Sequence, residues 1–457
     1  MSIVTPKPTI NGATVFVIIA SALAGALYGL DIGAIGGALG FIQKEMQLSA
    51  AQQGWIVGAV LYGGAIAILV AGALADWFGR KKMIVLSAII FLIGVYLSVV
   101  SNDYHSLLIA RLIMGIGVGV SAILIPLYIS ETAPSHIRGR AVACFQLFLT
   151  GGICLAYLID LAFQSTGNWR AMFGVLAVPG FIFFIGTIFL PESPRWLFMK
   201  KRINDAKKSL LKFNSEDEVE ELINEMQALE TEKQAKADAG GNTTIFRKAY
   251  IVPFIIAFLI ANLNQTTGIN CVLQYAPTIF EQSGVHSPVL SVLLGTGVTF
   301  INFVVTIIAI SLIDKLGRKP LLVFSTAGVV ICLCLLGISS LMNVSNFKVV
   351  LLSIGMFGFI ISFAIGCGVV VWLAMSELLP QAIRSKGLAI CLFGNSMLSS
   401  ILATLFLVIK ESIGFSGLFF MLAGFSVVYF IVAAFFLPET KGKTVEEVEE
   451  YWVKKFE

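Results

Sequence analysis

Charge is what this sequence has least of. Asp, Glu, Lys and Arg together make up 13% of its 457 residues, about half the share usual in a soluble domain. A soluble fold that is 57% hydrophobic would expose large apolar patches to water, so the solvent this chain implies is lipid. Histidine is also scarce. His105, His136 and His286 all fall in predicted loops, and no zinc cluster can be drawn from them. None of the seven cysteines (144, 154, 271, 332, 334, 367 and 391) belongs to a CxxC pair, and Cys332 and Cys334, two apart on a helix, point in different directions. Packed free thiols are the expected reading, not disulfides or metal ligands. No nucleophile–base pair and no phosphate loop is visible, so an enzyme is the least supported class and no cofactor or metal is expected. A cleavable signal peptide is not expected either, since the first apolar stretch is too long and too rich in glycine.

Long apolar runs are what the sequence does have. A bilayer core takes about 20 apolar residues per helix. Twelve candidate spans meet this: 13–41, 53–75, 83–101, 105–129, 141–163, 171–190, 249–280, 288–313, 320–342, 349–376, 387–409 and 414–437. Several exceed one straight crossing, so tilt or broken ends are expected. An even count puts both termini on one side, and 26 of the 31 Lys and Arg fall there. Lys44, Arg170, Lys348 and Lys410 lie on the other side, and Arg111 lies within a span. Basic loops stay cytoplasmic, so both termini are expected in the cytoplasm. The net charge of +4 is the same bias and gives no reason to expect nucleic acid as a partner.

The chain repeats itself. Asp76-Trp-Phe-Gly79-Arg80-Lys81 follows the second span and Asp314-Lys-Leu-Gly317-Arg318-Lys319 the eighth. Glu131 precedes Arg138 by seven residues, with Arg140 two further on; Glu377 precedes Arg384 by seven, with Lys386 two further on. Pro191-Glu192 closes the sixth span and Pro438-Glu439 the twelfth. The offsets are 238, 246 and 247 residues. Three matches in the same order indicate duplication of a six-helix unit. The expected organisation is a bundle over 1–190, a cytoplasmic helical linker over 191–248, a second bundle over 249–437 and a tail over 438–457. The linker is rich in Lys and Glu with a patchy apolar stripe, and reads either as a solvated connection or as a latch between the halves. Two pseudo-symmetric halves suit alternating access, in which a site at their interface faces each side in turn.

These same motifs carry a resemblance. The chain closely resembles the sugar porters of the major facilitator superfamily, over essentially its whole length. Asp76 to Lys81 and Asp314 to Lys319 match the superfamily's inner-loop motif. Arg111 with Gly115, Gly117 and Gly119 matches the fourth-helix pattern, and Pro126-Leu-Tyr128-Ile-Ser-Glu131 with Arg138-Gly139-Arg140 the junction of helices four and five. Pro191-Glu-Ser-Pro-Arg195-Trp196-Leu197 and Pro438-Glu-Thr-Lys441-Gly442 are sugar-porter signatures. The resemblance implies an all-α fold of twelve transmembrane helices in two six-helix bundles around a central cavity. It also implies that Asp76, Arg80, Glu131, Arg138, Glu192, Arg195, Asp314, Arg318, Glu377, Arg384 and Glu439 form charged gating networks. Their ion pairs can hold the halves together on the cytoplasmic side when the transporter faces outward. The plainer reading is that Arg80, Lys81 and Lys82 set topology.

Asp31 is the only acid expected deep in a span, amid Gly25, Gly29, Gly33, Gly36 and Gly37; Arg111 is the only deep base. A charge near the bilayer centre costs several kcal/mol, and two opposite charges are tolerable if they meet. A fixed ion pair that merely joins helices is one reading. The other is a proton switch, because a carboxyl taken out of water binds a proton more readily. Protonation would release Arg111 and deprotonation would restore the attraction. The resemblance favours the switch: proton-coupled sugar porters carry an acid at this first-helix position, whereas facilitative animal carriers commonly carry a neutral residue.

A sugar presents hydroxyls and a faintly apolar ring face, and a matching site needs amides and an aromatic platform. Gln146, Asn264, Gln265, Asn270, Asn302, Trp372 and Asn395 supply these from five spans. Asn264, Thr267, Asn270 and Gln274, spaced three, three and four, are expected on one helix face. A buried amide can also simply bond a neighbouring helix. The resemblance assigns sugar contacts to Gln146, Gln265, Asn270, Asn302, Trp372 and Asn395. It makes Tyr275 an outer-gate aromatic, and Gly268 with Gly366 to Gly368 points where helices seven and ten can break. The chain departs from the family at Asn264 (often glutamine), Gln274 (often tyrosine), Ser396 (often tryptophan), Val369 (often proline) and Ile153 (glutamine in the xylose–proton type). The substrate expected is a monosaccharide, hexose or pentose, co-transported with protons across a bacterial inner membrane by a monomer. A facilitative uniporter is the alternative. A membrane sugar sensor is disfavoured, since about 19 residues follow Pro438 where such sensors usually carry a long tail.

Overall fold

A computed structural model describes residues 12–133, 135–214, 216–238, 248–380, 383–443 and 445–456. Helix is the only regular structure among them. The first half contains α1 (Gly12–Met46), α2 (Ala50–Phe78), α3 (Arg80–Val100), α4 (Tyr104–Thr132), α5 (Ser135–Phe163) and a sixth crossing made of α6 (Trp169–Val175) and α7 (Ala177–Phe189). Three helices of the connecting segment follow: α8 (Pro194–Met199), α9 (Ile203–Leu210) and α10 (Glu216–Asp238). The second half contains α11 (Lys248–Thr266), α12 (Ile269–Gln282), α13 (Pro288–Leu316), α14 (Arg318–Leu341), α15 (Asn346–Ser362), α16 (Gly368–Leu378) and α17 (Arg384–Ile431); α18 (Val445–Phe456) ends the chain. Turns are short and capped by the sequence. Ser49 accepts the Gln52 N–H while Gln52 reaches back to Ser49, and Asp103 and Ser106 do the same at the start of α4.

Among the described residues, eleven helical segments are long and apolar enough to cross a membrane. The last, Lys386–Phe436, is two crossings in one run, bent at Gly414, whose φ of 70° and ψ of 172° are not helical. Twelve crossings result, as expected, although the expected gap at 410–413 is helical. Outward faces are apolar. Phe324, Ile331 and Ile338, seven apart on α14, are 76%, 68% and 52% exposed, a stripe that only lipid would cover without cost.

Two interruptions, at crossings where glycines were expected to permit a break, matter for the site. The seventh crossing is not one helix: Gly268 takes φ +81° and separates α11 from α12. The single face expected for Asn264, Thr267, Asn270 and Gln274 is therefore interrupted, because the left-handed residue reorients everything after it. The tenth crossing carries a π turn, Phe363–Cys367, which widens the helix and re-aims α16. Ser325 of α14 holds the turn: its hydroxyl donates to the Ser362 carbonyl at 2.6 Å and accepts the Cys367 N–H at 2.9 Å.

The halves meet along three seams, α2 with α17, α5 with α13 and α1 with α12. The backbones approach closely: a β-carbon on Gly54 would overlap the Thr404 carbonyl. Within the first half, α1 lies on α5 so tightly that a β-carbon on Gly29 would overlap the Leu149 carbonyl. The glycine-rich stretch around Asp31 is thus a packing seam. The connecting helices α8 to α10 carry a small core of their own, with Trp196, Phe198, Leu210 and Ile223 buried together.

Candidate functional site

Helices α1 and α4 bring the two deep charges into contact. Arg111 donates through Nη1 to Asp31 Oδ1 at 2.6 Å, and both side chains are 0% exposed. The Arg111 guanidinium also lies 5.3 Å from the centre of the Phe173 ring, a cation–π distance. The pairing is incomplete: Asp31 Oδ2 and Arg111 Nε and Nη2 have no hydrogen-bond partner among the described residues. A single strong contact thus holds the pair, with bonding capacity left over on each side.

A second buried acid corrects the expectation that Asp31 stands alone. Asp160 of α5 is 0% exposed and accepts the Gly37 N–H through Oδ2 at 3.0 Å. It stands three residues from the end of a predicted span, where an acid reads as interfacial. Its depth follows from α1, whose Gly37 packs directly against the carboxyl.

The amides expected to bind a sugar fall into two groups. Gln265, Asn270 and Asn395 form one chain between α11, α12 and α17. Gln265 donates to Asn395 Oδ1 at 3.2 Å, Asn270 donates to Gln265 Oε1 at 3.0 Å, and Asn395 donates to the Ala261 carbonyl at 2.6 Å. Ser399 completes it by accepting from Asn270 at 2.8 Å. Sequence reasoning missed Ser399, although its place four residues after Asn395 puts it on the same face. Asn264 and Gln274 are buried, and Asn264 Oδ1 and Gln274 Oε1 have no hydrogen-bond partner among the described residues. Asn302 is buried on α13, Gln146 is half-buried on α5, and Trp372 is 39% exposed on α16. None of these last three is tied to the amide chain by a described hydrogen bond. Tyr275 is buried, donates to the Ala403 carbonyl at 2.9 Å, and stacks on Phe406 with ring centres 4.9 Å apart. It fastens α12 to α17.

The charged motifs build two matching staples. In the first half Arg80 grips both Glu131 oxygens at 3.0 Å, with Asp76 at 2.7 Å and the Ala75 carbonyl at 3.1 Å. Ser193 donates to Glu131, and Glu192 accepts the Lys81 N–H. In the second half Arg318 grips Glu377 at 2.9 Å and reaches the Ile313 carbonyl, Thr440 donates to Glu377, and Glu439 accepts the N–H groups of Arg318 and Lys319. Gly79 and Gly317 turn both corners with φ of 103° and 94°. Burial disfavours charge on Glu439, but the N–H groups of Lys441, Arg318, Lys319 and Thr440 outweigh it and hold the carboxyl below the ordinary range.

Every described ion pair of these staples lies within one half. The expected bridge between halves is absent among the described residues of this structure. Arg195 is exposed and has no described bond to the network, and Arg384 donates to the Ser376 carbonyl at 2.8 Å, not to Glu377. The side chains of Arg138 and Asp314 lie outside the described residues. Among the described residues, direct polar contact between halves lies elsewhere: Tyr157 of α5 donates to the Leu273 carbonyl of α12 at 2.6 Å, and Cys154 of α5 hydrogen-bonds Thr299 of α13.

Comparison with known proteins agrees with this architecture. A family model described as sugar (and other) transporter matches residues 17–452. The galactose-proton symporter of Escherichia coli (strain K12) is 34% identical over 452 residues, covering 96% of this chain and 95% of its own. The arabinose-proton symporter of the same strain is 35% identical over 444 residues, covering 95% and 92%. The solved structure of the proton:xylose symporter XylE, of the major facilitator superfamily, superposes with a TM-score of 0.79 at 27% identity, covering 96% of this chain and 98% of that one. With twelve crossings, duplicated staples and a match that spans nearly its whole length, the chain belongs to the sugar transporter family.

Proposed function

We propose that this protein imports a monosaccharide together with protons by alternating access, with Asp31 and Arg111 as the coupling pair. The buried contact between these two residues carries the reading. Two opposite charges in dry surroundings attract strongly, and neutralising one removes most of that attraction. Binding of a proton to Asp31 therefore frees Arg111 and the α1–α4 contact, while loss of the proton restores it. One packed junction thereby acquires two arrangements selected by protonation, as coupling requires.

The sugar reading rests on the linked amides. Gln265, Asn270, Asn395 and Ser399 offer donors and acceptors on one wall, and Asn264 and Gln274 hold buried oxygens that want donors. An unmet buried acceptor costs about 1–3 kcal/mol, which sugar hydroxyls would offset. Gln146, Asn302 and Trp372 complete the set as the groups that meet the substrate from other helices. We assign gating to the staples and to Tyr275, place both termini in the cytoplasm and the chain in a bacterial inner membrane, and take one chain as sufficient, since it supplies both halves.

The test is sugar-driven proton uptake in proteoliposomes. Asp31→Asn is expected to abolish it while labelled-sugar counterflow continues. Full proton coupling in that variant would refute the mechanism and leave a facilitative carrier.

A further inference from the structure

Asp160 has no role in the mechanism above, yet its surroundings are unusual. Its carboxyl is fully buried; Oδ2 accepts the Gly37 N–H, and Oδ1 has no partner among the described residues. Gly37 is fitted to it, since a β-carbon there would overlap the carboxyl group. The charged groups on the packed elements are engaged or placed elsewhere. Arg111 of α4 pairs with Asp31, and Arg170 of α6 pairs with Glu45 of α1. Lys44 of α1, Glu281 of α12 and Glu411 of α17 line a cavity of about 510 Å³. The neighbouring phenol, Tyr157, is committed to the Leu273 carbonyl across the halves. No described ion pair reaches Asp160.

A carboxylate buried without a cation costs several kcal/mol, and a bound proton removes that charge. Water is close by. Gly37 and Gln164, on either side of Asp160, both line the 510 Å³ cavity, which lies at the face opposite the chain termini. Parting of α1 and α5 from α12 at that face would wet the carboxyl. We propose that Asp160 is a second proton-binding site, filled when this face is closed and emptied back to the same side when it opens. It rests on the alternating-access reading above. Because the proton returns to the side it came from, Asp160 makes closure pH-dependent without adding to the protons carried per sugar.

The test uses the full-length protein with Asp31→Asn, which removes the coupling pair's own titration. A reporter, Thr278→Cys, is placed in the cavity wall and its alkylation by a hydrophilic maleimide is followed against pH, with the parent lacking that cysteine as background. Maleimide attacks the thiolate, so every rate is taken relative to that of a permanently exposed cysteine at the same pH. Raising the pH strips the proton and opens the face, so this relative rate is expected to rise, by up to about tenfold per pH unit through the titration of a single group. With Asp160→Asn added, the rate is expected to become flat with pH. A merely structural Asp160 would leave the slope in place, because asparagine accepts the Gly37 N–H equally well. Asp160→Ser serves if the asparagine variant does not fold. Flat alkylation before Asp160 is changed, or an unchanged slope afterwards, overturns the proposal. Infrared spectra give an independent check: a protonated-carboxyl band must vanish in Asp160→Asn and survive in Asp31→Asn. Proton uptake persisting in Asp31→Asn would sink the coupling reading instead, and the infrared result would still decide this one.

Discussion

Among the described residues Arg111 has a single hydrogen-bond partner, Asp31, and this makes the loss of either member of the pair asymmetric. Arg111→Met leaves Asp31 as a buried carboxylate with no cation, a change that costs about 3–5 kcal/mol when a buried pair is broken from one side. Asp31→Asn leaves the guanidinium its Phe173 face and an amide oxygen, so it is expected to cost less. The double variant, Asp31→Asn with Arg111→Met, should recover most of the stability lost in Arg111→Met. Melting in detergent for the wild type, both singles and the double checks this, and additive losses would deny that the two charges act as a pair. The pairing was legible in the sequence because two deep charges of opposite sign have little else to meet. Asp160 was not, because an acid near the end of an apolar run looks interfacial until the neighbouring helix is seen to pack Gly37 against it. Ser399 was missed for a different reason: serines are common on membrane helices, and only the Asn270 contact separates this one from the rest.

Elements were legible where a residue type dictates the backbone. Gly268 was expected to permit a break, and it takes the left-handed conformation that a side chain resists. Gly268→Ala must pay about 1–2 kcal/mol for that conformation, and its β-carbon would also crowd Leu422, whose methyl lies 2.7 Å from the position it would take. The expected outcome is a lower melting temperature and slower counterflow, from the misplacement of Asn270 relative to Gln265. An unchanged KM for sugar would count against the amide chain as the binding wall. The π turn was less legible, since Gly366 to Gly368 signal tolerance for a break but not the extra residue, which depends on Ser325 from another helix. The staple at the end of the twelfth crossing has its own pH sign. Glu439 titrates below its ordinary value of 4.5, so its contribution is present above that value and is lost as pH falls through the lowered one. Glu439→Gln should therefore melt earlier than wild type at pH 7, with the difference closing only under strong acid. A difference that vanished between pH 5 and 7 would contradict the bond pattern drawn here.

At the scale of the whole molecule, the informative fact is where the two halves are joined. The repeated staples suggested a latch between halves, yet their ion pairs brace each half internally, Arg80 with Glu131 and Arg318 with Glu377. Sequence could place these charges at equivalent corners but could not say whether they pair within a unit or between units. That depends on the conformation adopted. Rigid halves are what a rocking mechanism needs, and the joint is then left to few groups. Tyr157 supplies one, donating across to the Leu273 carbonyl while its ring fills the space beside Gly36 and Gly295. Tyr157→Phe keeps the ring and deletes the bond. A buried hydrogen bond is worth about 0.5–1.5 kcal/mol net, which shifts a two-state balance by roughly two- to tenfold. The face opposite the termini should open more often by that factor, read as faster alkylation of a cysteine placed at Thr278 with the overall fold unchanged. If Tyr157→Phe leaves that rate untouched, the closed face is held by apolar packing of α1, α5, α12 and α13 alone, and the hydroxyl merely satisfies a carbonyl that helix geometry left free.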